Sequence, residues 1–175
     1  EGAAMRYVLW TIRLSVIAAV AIGLHWSLPK REIVRITGTD VVRMEVEETN
    51  PQGEAVTVSR DRRLINTVQP DGDPHVFRNE DTGWGFPPYF KFDSADLAAA
   101  AEDSASTRDD PDWMIVTYYG WRIPIFSIFP NAVAIEPAEG PDQTLIPWFN
   151  IVAVTLVAAL LLLLRARIRR LLGMG

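Results

Sequence analysis

Two stretches of this 175-residue chain lack charge over lengths that a small globular core does not need. Residues 14–29 contain no Asp, Glu, Lys or Arg, and residues 143–164 are 22 uncharged residues ending in five consecutive leucines. A bilayer core of about 30 Å takes about 20 apolar residues in helical form. The second stretch, LIPWFNIVAVTLVAALLLLL (145–164), meets that length and is apolar on every side, so a transmembrane helix is expected over 145–164. The first, YVLWTIRLSVIAAVAIGLHWSL (7–28), is interrupted by Arg13, whose long side chain can reach the headgroups from near a helix end. Small residues in an apolar run also suit a cleavable signal peptide. The expectation adopted here is a retained anchor. Trp10, Trp26 and Trp148 fall where indoles favour the membrane interface.

Charge sets the orientation. Arg6 and Arg13 before the first span are matched by Lys30 and Arg31 after it, so that helix gives little direction. The second span is followed by Arg165, Arg167, Arg169 and Arg170, and no basic residue lies between Arg122 and Arg165. Basic flanks stay in the cytoplasm. The expected layout is therefore a short cytoplasmic N-terminus (1–6), a span, an exported domain (29–144), a second span and a basic cytoplasmic tail (165–175). Within residues 30–144 there are 21 acidic and 11 basic side chains, a net charge of −10. That balance argues against nucleic acid, or an anionic bilayer surface, as a partner of the domain as a whole. The absence of cysteine excludes a disulfide partner, thiolate chemistry and cysteine-ligated metals.

The exported segment reads mostly as β-structure. Val42, Met44 and Val46 alternate with Arg43, Glu45 and Glu47, between turn residues at Gly38-Thr39-Asp40 and Asn50-Pro51-Gln52-Gly53. Further strands are expected over 54–59, around Leu64 to Val68, near His75 to Arg78, and over 112–137 with breaks at Tyr119-Gly120 and Phe129-Pro130. Asp93, with Asp96 three residues on, forms a capping-box pattern before the helix-favouring LAAAAEDSA. The fold class expected is α+β: two transmembrane helices flanking a small, mainly antiparallel β domain with one helix. An OB-like barrel is one topology compatible with that order.

Residues 78–94, RNEDTGWGFPPYFKFDS, are the least regular stretch. Trp84, Phe86, Tyr89 and Phe90 are too many aromatics to leave in water without a reason. Either they cover the open end of the sheet, or they form a docking surface for another membrane protein or for lipid headgroups. The docking reading predicts that Trp84→Ala or Phe86→Ala weakens association more than Glu80→Ala.

Chemistry is sparse. His75 beside Asp71 and Asp73 outlines a metal site, but with too few ligands for zinc or a calcium loop, so no metal is expected. His25, four residues after Ala21, is similar in spacing to antenna-helix histidines that ligate bacteriochlorophyll; an interfacial histidine is the simpler account, and no cofactor is expected. Nucleophile motifs and phosphate loops are absent. The carboxylates Glu80, Asp81, Asp93 and Asp96 leave open a glycosidase-like pair, though the chain is not expected to be an enzyme.

Three phrases, LPKREIVRITGTDV (28–41), RNEDTGWGFPPYFKFDSADL (78–97) and YYGWRIPIFSIFPNAVAI (118–135), resemble the DUF1523 proteins of alphaproteobacteria. The resemblance implies a bacterial inner-membrane setting and carries over no activity or catalytic residue. The expected role is that of a non-catalytic accessory subunit of a larger respiratory or photosynthetic inner-membrane complex. The alternatives are a periplasmic ligand-sensing or envelope-stress module, or an enzyme with unrecognised carboxylate chemistry. The small residues Ala18, Ala19, Ala21 and Gly23 offer a helix-packing face, and Asn150 and Thr155 offer interhelical hydrogen bonds.

Overall fold

The structure, a computed structural model, describes residues 2–50 and 53–171. It divides into two compact units: the terminal segments 1–29 and 146–175, and Lys30–Leu145 between them.

The terminal unit contains α1 (Gly2–Ser27) and α3 (Trp148–Leu171), which are long and apolar enough to cross a membrane. Neither helix buries its apolar side chains within the protein: Leu14, Ile17, Ile22, Leu160, Leu162 and Leu163 are all exposed. Burying such a side chain is worth about 1.5–3 kcal/mol, so these helices need an apolar surrounding. Helix α3 begins three residues later than the sequence suggested and continues through Arg165, Arg167, Arg169 and Arg170, so the basic segment is helical as far as Leu171 rather than a separate tail. Asn150 donates from Nδ2 to the carbonyl of Pro29 at 2.8 Å, while Thr155 bonds back to Ile151 in its own helix. The interhelical role expected of Thr155 is thus replaced by the local back-bond common to mid-helix threonines.

The central unit is a five-stranded, mainly antiparallel sheet with one α-helix: β1 (Lys30–Thr49), β2 (Ala55–Val68), β3 (Pro74–Arg78), α2 (Ser94–Asp103), β4 (Trp113–Tyr119) and β5 (Asn131–Pro137). The strands close in the order β1-β2-β3-β5-β4, with β4 returning to β1. One pairing, Arg78 with Asn131, is parallel. Alternate residues point inward, as the period of two requires. Val34, Ile36, Ile65, Phe77, Val116 and Ala132 form the core, sealed by Leu97 and Ala101 one turn apart on α2.

Two expected breaks are absent. The turn placed at Gly38-Thr39-Asp40 is a bulge inside one long strand, where the register shifts between Ile36 and Gly38. Gly38 takes a φ of 150° that suits glycine, and nearby the Ile36 carbonyl accepts the Ser106 N–H. Likewise 54–59 and 64–68 are one strand, β2. The cause is mutual pairing, since β1 and β2 stay in register from Asp40↔Leu64 out to Thr49↔Ala55. Among the described residues, no third strand pairs with this ribbon beyond Arg35 on one side and Leu64 on the other. The alternation at Val42 therefore describes a projecting arm, and Val41 and Val42 are exposed.

The capping box at Asp93 also fails. Asp93 makes no side-chain cap bond; Asp81, distant in sequence, accepts from the Ser94 N–H and Oγ–H, both at 2.9 Å.

Candidate functional site

The irregular stretch lies between β3 and α2, and its two sides have opposite character. Trp84 is 83% exposed, and Phe86, Phe90 and Phe92 are more than half exposed. Trp84 packs against Phe90 (centroids 5.5 Å) and Phe92 (5.4 Å), so the rings form a shared patch rather than scattered points. Tyr89 is half-buried and stacks on Tyr119 at 4.9 Å with planes 17° apart. Covering the end of the sheet, the simpler of the two expectations for these aromatics, holds in part for Tyr89 and fails for Trp84, Phe86 and Phe90.

What enters the core instead is Lys91, 3% exposed and flanked by the two outward phenylalanines. Its Nζ donates to Asn79 Oδ1 at 2.5 Å and to the Ala132 carbonyl at 2.8 Å. Burial lowers its pKa from 10.5 to about 8, against the pull of Asp93, Asp81 and Glu80 in the other direction. The Lys91 backbone closes the loop on itself: its carbonyl accepts the N–H groups of Thr82 (3.1 Å) and Gly83 (3.0 Å), and its own N–H reaches Thr82 Oγ1 at 3.1 Å. Gly85 donates to the Thr82 carbonyl at 3.0 Å, and a Cβ there would lie 3.0 Å from that oxygen, so the tight approach favours glycine.

A polar frame holds the loop's entry. Asn131 gives Nδ2–H to the Glu80 carbonyl and takes the Glu80 N–H on Oδ1, both at 2.9 Å. It also reaches the Tyr119 hydroxyl at 3.2 Å. Asn79 donates to the Ser94 carbonyl at 2.7 Å, and Glu80 lies between Arg78 (3.0 Å) and Arg62 (3.4 Å). Glu80 and Asp81, two of the four carboxylates considered for acid–base work, are therefore engaged in structural contacts. Sequence reasoning missed Lys91 and Asn131 altogether. The one available signal was a lysine between two phenylalanines, where alternation would have turned either set inward.

A second buried cluster surrounds His75. Its Nδ1 lies 3.1 Å from Glu32 Oε2, Gln69 Nε2 donates to Glu32 Oε1, and the ring stacks on Phe77 at 4.5 Å. Tyr118 is raised above its ordinary pKa by burial, then by the charge of Glu32 and a hydrogen bond to it. His75 thus faces Glu32 across the sheet rather than Asp71 and Asp73, which bend into their own turn through the Asp73 N–H to Asp71 Oδ1 bond. Among the described residues no group of three or more His, Cys, Asp or Glu could hold a metal ion. His25 is exposed near the end of α1. Trp10 is exposed beneath the Arg13 guanidinium at 5.7 Å, Trp26 is half-buried, and Trp148 is the exposed first residue of α3.

The model of a family described as "Protein of unknown function (DUF1523)" matches residues 5–172. The chain belongs to the DUF1523 family. It is also similar to an uncharacterized protein of Haemophilus influenzae, at 37% identity over 145 residues that cover 79% of each chain. No solved structure matches it. The DUF1523 match spans both apolar helices, the closed sheet and the aromatic loop.

Proposed function

We propose that this DUF1523 protein is a non-catalytic accessory subunit of a larger bacterial inner-membrane complex, of the respiratory or photosynthetic kind, held by two spans and docking through the loop around Trp84. In this reading both termini are cytoplasmic and the Lys30–Leu145 unit is a periplasmic, OB-like barrel. The supporting observation is the patch of Trp84, Phe90 and Phe92, displayed in water on a loop whose underside is fixed by Lys91 and Pro87. Exposed contiguous aromatics mark interaction sites, and a loop held rigid before binding loses little entropy on docking. Tryptophan is also the residue type that most often dominates interface energetics.

Gentle detergent extraction followed by native gels and mass spectrometry tests this. Trp84→Ala should lower co-migration with the host complex by about 30-fold or more in affinity, the effect of a hot-spot side chain worth at least about 2 kcal/mol. Phe86→Ala should act in the same direction. The control is exposed Asp103→Ala, since Glu80 is tied to two arginines and its loss would disturb the loop. Equal retention of all three variants, or a wild-type chain migrating alone, rules the docking role out.

A further inference from the structure

The β4–β5 connection forms a second exposed apolar feature, on a different connection from the aromatic loop. Residues 121–129 fold as a finger: Ile123 and Ile128 pair across its base through N–H to carbonyl bonds of 2.9 and 3.2 Å. A single 3-10 turn (Pro124–Phe126) makes the tip, closed by Ser127 at a left-handed φ of 50°. Ile125 is 84% exposed and Phe126 70% exposed. The tip packs against no core and is unusually apolar for a solvent loop.

Its surroundings specify a partner. The stretch 113–135 carries Arg122 as its one charged residue, within a segment whose net charge is otherwise strongly acidic. Strand β4 runs antiparallel to β1 and ends where β1 begins, at the Lys30↔Tyr118 pair. Lys30 Nζ donates to the Gly120 carbonyl at 3.3 Å, at the finger's root. Lys30 also follows Ser27, the last residue of α1, by three positions in the chain. An apolar tip, an exposed arginine beside it, a lysine at its root and no carboxylate within residues 113–135 form the pattern of a segment lying at the boundary of acyl chains and phosphates.

We propose that the finger at residues 121–129 inserts Ile125 and Phe126 into the outer leaflet of the bilayer that α1 crosses, with Arg122 on headgroup phosphates. This rests on the reading of α1 as a span. The acidic balance of the whole unit does not oppose it, because the acids lie outside the finger.

The chain has no cysteine, so a single environment-sensitive fluorophore can be attached cleanly. The full chain carrying Ser127→Cys, labelled with nitrobenzoxadiazole, is reconstituted into phosphatidylethanolamine–phosphatidylglycerol vesicles with and without lipids bearing a nitroxide high on the acyl chain. Thr57→Cys is the comparison, exposed on the arm and 17 positions along β1 from Lys30 by its pairing with Glu47. The Ser127 probe should emit blue-shifted and lose more than half its emission to the nitroxide, and adding Ile125→Asp should abolish both effects. The Thr57 probe should show neither. If the chain resists alkaline extraction while the Ser127 probe behaves like Thr57, the insertion is wrong and the span stands. Extraction of the chain by alkali overturns the span reading and the insertion with it.

Discussion

Lys91→Ala should destabilise the central unit by about 3 kcal/mol and remove most of a rise in stability that the wild type shows between pH 8 and pH 9. Two opposing effects set the size. Removing the ammonium strands two buried acceptors, Asn79 Oδ1 and the Ala132 carbonyl, at about 1–3 kcal/mol each. Three lost methylenes add about 2.4 kcal/mol. Against this, the wild type carries the desolvation of a charge whose pKa falls from 10.5 to about 8, a penalty of about 3 kcal/mol below pH 8. The unfolded chain binds the extra proton across that interval, so wild-type stability must climb with pH through it. Tyr118 and Tyr89, both raised by burial, act oppositely, because their unfolded forms, with an ordinary pKa of about 10, lose protons appreciably from about pH 9 upward. The interval from pH 8 to pH 9 precedes that loss, and there Lys91 sets most of the rise, with Lys30, whose pKa burial also lowers, adding in the same direction. Lys91→Met keeps most of the stem and should cost about 1 kcal/mol, with the same flattened profile. Urea unfolding of the full chain in detergent, followed by tryptophan emission at several pH values, measures both quantities. A wild type without the rise, or variants that retain it in full, would show that Lys91 is not a buried cation.

The buried lysine also explains why the aromatic loop was the least legible part of the sequence. Phe90-Lys91-Phe92 invites the assignment of two phenylalanines inward and one lysine outward, because apolar burial dominates most such choices. Here the order is inverted. The core beneath the loop is already filled by Phe77, Ile65 and Ala132 and presents carbonyl and amide oxygens, which a lysine satisfies and a phenyl ring does not. Phe90 takes a φ of 51°, so simple alternation does not hold across it. These acceptors come from β5 and from the residue after β3, so no local window contains the information.

The sheet was more readable, for a physical reason of the same kind. Strand existence depends on alternation, which is local. Thus Ile65 and Thr67, and His75 and Phe77, alternate inward on the strands expected near them. Strand ends depend on partners. Gly38 looked like a turn because glycine punctuates strands, yet β2 pairs with β1 on both sides of the bulge and carries the chain through. The helix at α2 was legible from its alanines, whereas its cap was not: Asp81 serves Ser94 across a loop of twelve intervening residues.

In spheroplasts, Thr57→Cys should react fully with a membrane-impermeant maleimide, while Ala166→Cys should react only after the membrane is opened. The second helix decides this. Arg6 and Arg13 offset Lys30 and Arg31 around the first, but Arg165, Arg167, Arg169 and Arg170 face no basic residue near the other end of α3. Carrying one positive charge outward against an inside-negative potential costs about 2.3 kcal/mol per 100 mV, so four cost about 9 kcal/mol. Replacing all four with glutamine removes that bias and should yield a mixed population in which Thr57→Cys labels only in part. Helix length and apolarity are unchanged by the replacement, so membrane integration should persist. Complete protection of Thr57→Cys beside free reaction of Ala166→Cys would put the sheet and its aromatic loop in the cytosol. The periplasmic docking role and insertion of the finger into the outer leaflet would then both be excluded, however well the aromatic patch bound a partner.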